Sequence, residues 1–176
     1  LGYLPPMEIR LEGKTALVTG ASRGIGRAIA AELAASGASV MLSSRKLDQL
    51  EATAAAIGGD TAVYAANAGD LDAAEACVAA TIERFGRLDV LVNNAGTGAA
   101  GAAEESSVAQ DKRAFDINFF GLVRMTKAVL PHMRSAGTGR IINISSVLGL
   151  VPAPYMASYS ATKHAIEGYS ESVDHE

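Results

Sequence analysis

Two side chains near the end of the chain could together move a proton. Tyr159 and Lys163 are four residues apart, so on a helix they share one face. An ammonium group beside a phenol stabilises the phenolate form, which would make Tyr159 a usable proton donor near neutral pH. A tyrosine and a lysine also occur at this spacing on many solvated helix faces, and Lys163 could equally pair with Glu167 one turn further on. The spacing alone therefore leaves an acid–base pair and an ordinary surface pair both open.

Tyr155 is an alternative to Tyr159 as the proton donor, and Ser145 is an alternative to Ser146 as a polar group near it. The residue four positions after Tyr155 is Tyr159 and not a lysine, so only Tyr159 has a cationic partner. Ser146 follows a short apolar segment, at the edge where open parallel sheets place their ligands. We prefer it to Ser145, which we expect to belong still to the strand.

A glycine-rich turn near the start of the chain could hold a phosphate group. Residues 19–26 read TGASRGIG, between a short apolar segment and an amphipathic one. Glycine there lets the backbone approach a pyrophosphate, and a helix N-terminus offers free N–H groups. The spacing is G-x-x-x-G-x-G, and any tight strand–helix turn needs glycine, but the position after the first strand favours a nucleotide. The candidate contacts are Gly20, Ser22, Arg23, Gly24, Ile25 and Gly26.

Short apolar runs alternate with longer amphipathic stretches along the chain. The runs predict five strands, at residues 15–19, 40–44, 61–66, 88–92 and 141–144. Because parallel crossovers need a helix and are right-handed, this rhythm predicts an α/β fold with a doubly wound parallel sheet. No linker or repeat interrupts it, so we expect a single domain over residues 1–176.

Helix signals fill the intervals between these strands. Ile25, Ile29 and Leu33 recur at helical spacing until Gly37, and a second helix from Leu47 ends at Gly58. Asp70 is a plausible N-cap for a third helix, which Gly86 would close. One long helical stretch passes through Phe115 to Val129, and the last helix starts at about Ser158.

Composition excludes several classes of partner. The net charge of −4 gives no basic field for nucleic acid or anionic lipid. Cys77 is the single cysteine and the three histidines are scattered, so we expect no structural metal and a reducing compartment. No apolar run approaches the length of a membrane span. A cytoplasmic protein without nucleic-acid or membrane partners is the prediction.

Five motifs, in this order, resemble the short-chain dehydrogenase/reductase family. The likeness runs from about Leu11 to the last residue. It rests on residues 19–26, Asn93-Asn94-Ala95-Gly96, Asn118, Ser146 and Tyr159-Ser160-Ala161-Thr162-Lys163. The resemblance implies a Rossmann-like domain that transfers hydride between a nicotinamide cofactor and a ketone or secondary alcohol.

The resemblance also implies roles for the four candidate catalytic residues. Tyr159 would donate a proton to the substrate oxygen, and Ser146 would hydrogen-bond that oxygen. The number of residues between Ser146 and Tyr159 matches the family pattern. Tyr159 and Lys163 would also contact the cofactor, Lys163 at the nicotinamide ribose, and Asn118 would hold a water that links Lys163 to solvent. For Asn118, a polar residue that caps or kinks a helix is the alternative.

The other cofactor contacts follow from the same resemblance. Asn93 and Asn94 are expected to tie the fourth strand to its neighbours, while Asn94, Ala95 and Gly96 let the backbone pass close to the adenine ribose. Asn67, with Ala68 beside it, stands at the end of the third strand where the family usually has an aspartate that binds the adenine amino group. Asparagine can still accept such a bond through its carbonyl.

The end of the second strand predicts the choice of cofactor. NAD sites usually present a carboxylate there, whereas this chain reads Ser43-Ser44-Arg45 and has no acid until Asp48. Arg23, in the glycine turn, is a second cation that could reach a 2′-phosphate. These residues favour NADP(H), although Arg45 could also be an ordinary surface charge.

The leading hypothesis is an NADP(H)-dependent reductase or dehydrogenase, either a 3-oxoacyl-acyl-carrier-protein reductase or a broad carbonyl or steroid-type reductase. The alternative is a non-catalytic nucleotide-binding protein of the same fold. Family members continue beyond the tyrosine–lysine helix through two strands and a lid, so we expect this sequence to lack them. A homodimer or homotetramer is expected by resemblance, and small residues such as Ala161 and Ala165 would permit helices to pack closely, between subunits or within one.

Overall fold

A computed structural model describes residues 9–176 of the chain. Its centre is one five-stranded sheet with the strand order β3-β2-β1-β4-β5, in which every neighbouring pair is parallel. The strands are β1 (Thr15–Thr19), β2 (Ser39–Ser44), β3 (Thr61–Ala65), β4 (Val90–Asn93) and β5 (Arg140–Asn143). The strand order reverses between β1 and β4, which confirms the predicted doubly wound, Rossmann-like α/β class.

Helices connect all the strands. They are α1 (Gly24–Ala35), α2 (Leu47–Ile57), α3 (Leu71–Phe85), α4 (Val108–Phe115), α5 (Gly121–Ala136) and α6 (Ala157–Asp174). A π-helical turn (Asp116–Phe120) joins α4 to α5, and a short 3-10 turn (Val147–Gly149) follows β5. In the part of the chain that the structure describes, none of these helices is both long and apolar enough to cross a membrane.

Each face of the sheet buries its own apolar cluster. Leu17 and Leu91 point to the face covered by α3 and α5, where they pack with Cys77 and Val129. The residues next to them in β1 and β4 point to the opposite face, against α1 and α2. This alternation follows from the period of two in a strand, and it buries both faces. Burial raises the pKa of the Cys77 thiol to about 11.

The predicted signals at both ends of the third helix are confirmed. The Asp70 side chain accepts hydrogen bonds from the backbone N–H groups of Asp72 (3.1 Å) and Ala73 (3.4 Å). Gly86 closes the helix in the left-handed conformation, at φ +78°, which glycine adopts without steric cost.

Several predicted boundaries differ from the structure. The long helix after β4 is two helices separated by the π turn, and the last helix begins at Ala157 and ends at Asp174. Strand β5 ends at Asn143, so the expectation that Ser145 belongs to the strand is wrong. Strand β4 starts at Val90 rather than at residue 88. The Asp89 side chain accepts the N–H of Thr15 at this end of the strand.

Asp89→Asn is expected to lower the free energy of unfolding by about 2 kcal/mol near neutral pH. The buried carboxylate accepts hydrogen bonds from the Thr15 N–H (2.9 Å) and from Nε (2.7 Å) and Nη2 (2.5 Å) of Arg87, and Lys14 Nζ lies 3.6 Å away. Burial by itself would raise the pKa of Asp89, but these hydrogen bonds and charges outweigh it and hold the pKa below its usual value. Asparagine keeps the shape and loses the charge.

The pH dependence of this effect follows from the sign of the shift. A carboxyl whose pKa is lower in the folded state stabilises the fold above its unfolded pKa, and that contribution is lost as the pH falls through the folded pKa. Urea unfolding of both proteins should therefore show a difference near neutral pH that shrinks as the pH falls below about 4, the ordinary pKa of an aspartate. A difference that stays constant with pH would contradict the assignment.

Candidate active site

A cleft of about 650 Å³ opens at the carboxyl ends of the strands, where the strand order reverses. Open parallel sheets bind their ligands at this position. The predicted cofactor residues in its wall are Gly20, Ser22, Arg23, Gly24, Ile25, Ser44, Arg45, Asn67, Ala68, Asn94, Ala95 and Gly96. The predicted contacts Gly26, Tyr159 and Lys163 are not part of that wall.

The glycine turn packs tightly against the loop after β4. Gly20 has φ +65°, and a Cβ there would lie 2.9 Å from the Ala95 Cα. A Cβ on Gly26 would lie 2.4 Å from Asn94 Nδ2 and from the Gly20 carbonyl oxygen. The N-cap of α1, Arg23, makes no side-chain hydrogen bond to the first turn, which leaves the helix N-terminus to face the cleft with its N–H groups.

Ile25 was predicted to lie on the apolar face of the first helix together with Ile29 and Leu33, but it does not pack against the core. Its side chain is 65% exposed and lines the cleft, while Ile29 and Leu33 pack against the core. Helical periodicity shows that these residues share one face of the helix. It does not show that the first turn of that face lies at the cleft instead of against the sheet.

The two consecutive asparagines tie β4 to its neighbours, as predicted. Asn94 Nδ2 donates to the carbonyl oxygens of Thr19 (3.0 Å) and Gly20 (3.3 Å). Asn93 Nδ2 donates to Asn143 Oδ1 in β5 (2.9 Å). These bonds hold the floor of the cleft between β1 and β5.

Positive charge gathers where β2 ends. Arg23 and Arg45 line this end of the cleft with exposed side chains, and neither forms an ion pair with any carboxylate of residues 9–176. The Ser44 hydroxyl beside them is buried and has no hydrogen-bond partner among residues 9–176. Asn67 lies two residues beyond the end of β3, rather than at its end, and its Oδ1 accepts from the Gly69 N–H (3.2 Å).

Lys163 is buried at the same edge of the sheet. Its Nζ donates to the Ile144 carbonyl oxygen (2.8 Å) and lies 5.7 Å from the centre of the Tyr159 ring. Burial lowers the pKa of Lys163, and the charge of Glu167 opposes this shift without forming an ion pair with Lys163. The helix therefore does place Tyr159 beside the lysine. Ile144 in turn donates its N–H to the carbonyl oxygen of Asn93 (2.9 Å), next to the cleft.

The two adjacent serines have different surroundings, although both lie beyond β5. Ser146 Oγ accepts from the Leu148 N–H (3.2 Å), which leaves its own O–H available as a donor. Ser145 Oγ is buried, has no hydrogen-bond partner in the described residues, and lies 2.9 Å from the position that a Cβ on Gly149 would take. The two serines therefore differ in their hydrogen bonding and burial, and not, as we expected, in whether they belong to the strand.

Asn118 is buried in the π turn and joins the cleft to the tyrosine helix. Its Oδ1 accepts from the Thr97 N–H (2.7 Å), and its Nδ2 donates to the Thr97 carbonyl (2.9 Å) and to Thr162 Oγ1 (3.2 Å). The irregular turn agrees with the alternative of a polar residue at a kinked helix, and such turns are also frequent at functional sites.

Two contacts that the sequence did not reveal hold the start of α6. The Ser158 hydroxyl donates to the Asp111 carboxylate in α4, and the Gly101 N–H donates to the Tyr155 carbonyl (2.9 Å). Tyr155 has φ +60°, which costs a non-glycine residue roughly 1–3 kcal/mol. No local pattern signals these contacts, because they join segments that are distant in sequence.

Comparison with known proteins agrees with this geometry. Residues 14–176 match a family model described as short chain dehydrogenase. Over 167 residues the chain is 39% identical to a 3-oxoacyl-[acyl-carrier-protein] reductase of Synechocystis, which covers 93% of this chain and 68% of that protein.

Two crystal structures are close in fold. A variant of actinorhodin polyketide ketoreductase, solved with NADPH, is 37% identical with a TM-score of 0.89, over 91% of this chain and 63% of the other. A short chain dehydrogenase/reductase from Burkholderia phymatum, in complex with NAD, is 31% identical with a TM-score of 0.91, over 94% and 60%. The chain thus spans about three fifths of the length of these two relatives.

Proposed function

Because this chain belongs to the short-chain dehydrogenase family, we propose that it is an oxidoreductase that transfers hydride between NADP(H) and a ketone or secondary alcohol. The observation that carries the proposal is the position of the Tyr159–Lys163 pair. Lys163 binds the Ile144 carbonyl, Ile144 binds Asn93, and Asn93 lies in the wall of the cleft. The candidate acid and the candidate cofactor cleft therefore meet at one edge of the sheet.

The residues of the cleft fit a dinucleotide phosphate. Gly20 and Gly26 let the turn pack against Asn94 and Ala95, while a Cβ on Gly24 would meet no described atom within 4 Å. The backbone at Gly24, in the wall of the cleft, is therefore open to a pyrophosphate at the N-terminus of α1. Within the described part of the chain the buried Ser44 hydroxyl lacks a hydrogen-bond partner, and the cations Arg23 and Arg45 are beside it. A nicotinamide cofactor held here would supply the hydride.

The chain's own residues would handle the proton. Tyr159 Oη would donate it to the substrate oxygen, while the O–H of Ser146 donates a hydrogen bond to the same oxygen and stabilises its developing charge. The buried Lys163 ammonium would stabilise the phenolate that remains and bind ribose hydroxyls. Asn118, fixed between Thr97 and Thr162, would order the water through which Lys163 exchanges protons with solvent.

Calorimetric titration with NADPH and NADH, followed by assays of NADPH oxidation across a panel of ketones, tests the proposal. Saturable NADPH binding with turnover of at least one ketone is expected. The panel should include a 3-oxoacyl thioester and a cyclic ketone, since the similarity to a 3-oxoacyl-[acyl-carrier-protein] reductase supports a carbonyl substrate of the first kind. Saturable binding without oxidation of any ketone would instead favour a nucleotide-binding protein without catalysis.

Arg45→Asp is expected to shift the preference of the protein from NADP(H) toward NAD(H). The guanidinium lines the cleft at the end of β2, where a carboxylate would repel a 2′-phosphate and could accept bonds from ribose hydroxyls. The ratio of kcat/KM for the two cofactors should change about 100-fold, the equivalent of one charge-assisted hydrogen bond to phosphate. Arg27→Asp is a matched control, because Arg27 is exposed on α1 outside the cleft wall. An unchanged ratio in the Arg45 variant would exclude this assignment.

A further inference from the structure

An ion pair spans the π turn and reaches the loop after β3 (residues 66–70, called the β3 loop). Arg124 Nη2, in α5, donates to Asp116 Oδ1 at the start of the turn (2.6 Å). Arg124 Nη1 donates to the carbonyl oxygens of Ala68 (2.9 Å) and Asp116 (3.3 Å). The Arg124 side chain is only 20% exposed. One planar guanidinium therefore fastens two separate segments of backbone.

The β3 loop packs closely against the π turn and against the first residue of α5, and a glycine lies on each side of this contact. A Cβ on Gly69 would lie 2.8 Å from Asp116 Oδ2, and a Cβ on Gly121 would lie 2.9 Å from the Ala68 Cβ. These two close approaches, one to the Asp116 carboxylate and one to Ala68, add to the guanidinium bonds and make the two segments one packed unit.

The same π turn carries Asn118. Its side chain holds both backbone groups of Thr97 and the hydroxyl of Thr162, next to Lys163. On the other side of the turn, Ala68 lines the cleft. A continuous path of direct contacts therefore leads from the β3 loop through the π turn to the tyrosine helix.

We propose that Arg124 is a positioning residue that holds the cofactor-facing β3 loop in register with the π turn, and so with Asn118. This inference rests on the proposed function, in which the β3 loop faces the adenine end of the cofactor and Asn118 serves the catalytic end. Arg124 is not among the residues that line the cleft. Its role is to keep the two ends of the cleft at a fixed separation, so that a nucleotide anchored at one end presents its reactive end correctly at the other.

The chain contains a matched control for this ion pair. Arg84 and Asp60 form an arginine–aspartate pair of similar length (2.8 Å), but both side chains are half exposed and lie outside the cleft wall. Exposed pairs of this kind contribute little to stability. Arg124→Gln and Arg84→Gln therefore remove the same chemistry from a bridging site and from a surface site.

The first measurement is calorimetric binding of adenosine 2′,5′-bisphosphate and of NADPH, followed by kcat at saturating NADPH. In Arg124→Gln the Kd of both nucleotides should rise about 5- to 10-fold and kcat should fall by a similar factor, whereas Arg84→Gln should match the wild type. Free guanidinium at millimolar concentration should restore part of kcat in Arg124→Ala. An Arg124→Gln protein that matches Arg84→Gln in Kd and kcat would overturn the proposal, as would a loss of thermal stability with no change in either quantity.

A second measurement does not depend on a cofactor. The Thr97 N–H donates to Asn118 Oδ1, so displacement of the π turn should expose it. Hydrogen exchange at Thr97 should be about 5-fold faster in Arg124→Gln than in Arg84→Gln, and equal rates would overturn the proposal. If the wild type binds no nucleotide, the proposed function fails, while Thr97 exchange still reports whether Arg124 positions the turn.

Discussion

Tyr159→Phe is expected to lower kcat by roughly 10²- to 10⁴-fold, the usual contribution of a general acid. Phenylalanine keeps the ring that lies beside the Lys163 ammonium and removes only the hydroxyl that would donate the proton. Ser146 would still hydrogen-bond the substrate oxygen, so some activity should remain. The substitution removes one hydroxyl and leaves the residues of the cleft wall unchanged, so the Kd of NADPH should rise far less than kcat falls.

Tyr155→Phe is the control for this substitution. Tyr155 is a tyrosine four residues earlier, its side chain is 70% exposed, and the variant keeps the backbone conformation at that position. Stopped-flow measurement of NADPH oxidation under single-turnover conditions separates the chemical step from product release. Equal rates for Tyr159→Phe and Tyr155→Phe would contradict the assignment of Tyr159 as the proton donor.

Gly26→Ala is expected to destabilise the fold by about 2–3 kcal/mol and to weaken NADPH binding by more than about 100-fold. Helix propensity alone predicts the opposite sign, since alanine in a helix is favoured over glycine by about 1 kcal/mol. The added Cβ, however, would lie 2.4 Å from Asn94 Nδ2 and from the Gly20 carbonyl oxygen. Neither group can move away freely, because Asn94 is bonded to Thr19 and Gly20 and forms part of the cleft floor. Thermal unfolding and calorimetric titration with NADPH measure the two effects.

Gly168→Ala provides the matched control within a helix. Gly168 lies inside α6, and a Cβ there would meet nothing within 4 Å. We expect this variant to be equally or slightly more stable than the wild type, by up to about 1 kcal/mol, with unchanged NADPH binding. If Gly26→Ala were as stable as Gly168→Ala, the glycine turn could relax around the added Cβ. The short distances from Gly26 to Asn94 and Gly20 would then not require glycine at this position.

The sheet was predictable because the sequence signals for its strands and for the helices between them lie within short segments. Each apolar run of about five residues predicts a buried strand, and each interval carries its own helix signals, such as the Asp70 cap and the Gly86 stop. The glycine turn and the asparagines after β4 were also predictable, since their roles follow from their position at the end of a strand. The π turn that divides the long helix after β4 was not predictable, because its hydrogen bonds are to residues distant in sequence, such as Thr97.

The sequence by itself determined the doubly wound α/β fold, the glycine turn and the set of side chains that could transfer a proton, because periodicity and short spacings depend only on neighbouring residues. Only the tertiary structure decided that Lys163 is buried against Ile144, that Asn118 lies in a π turn between Thr97 and Thr162, and that Arg124 fastens this turn to the β3 loop. Each of these contacts closes a long loop of chain between one side chain and a particular backbone atom or hydroxyl. Such a contact leaves no periodic trace in the sequence, since its geometry depends on how whole elements pack.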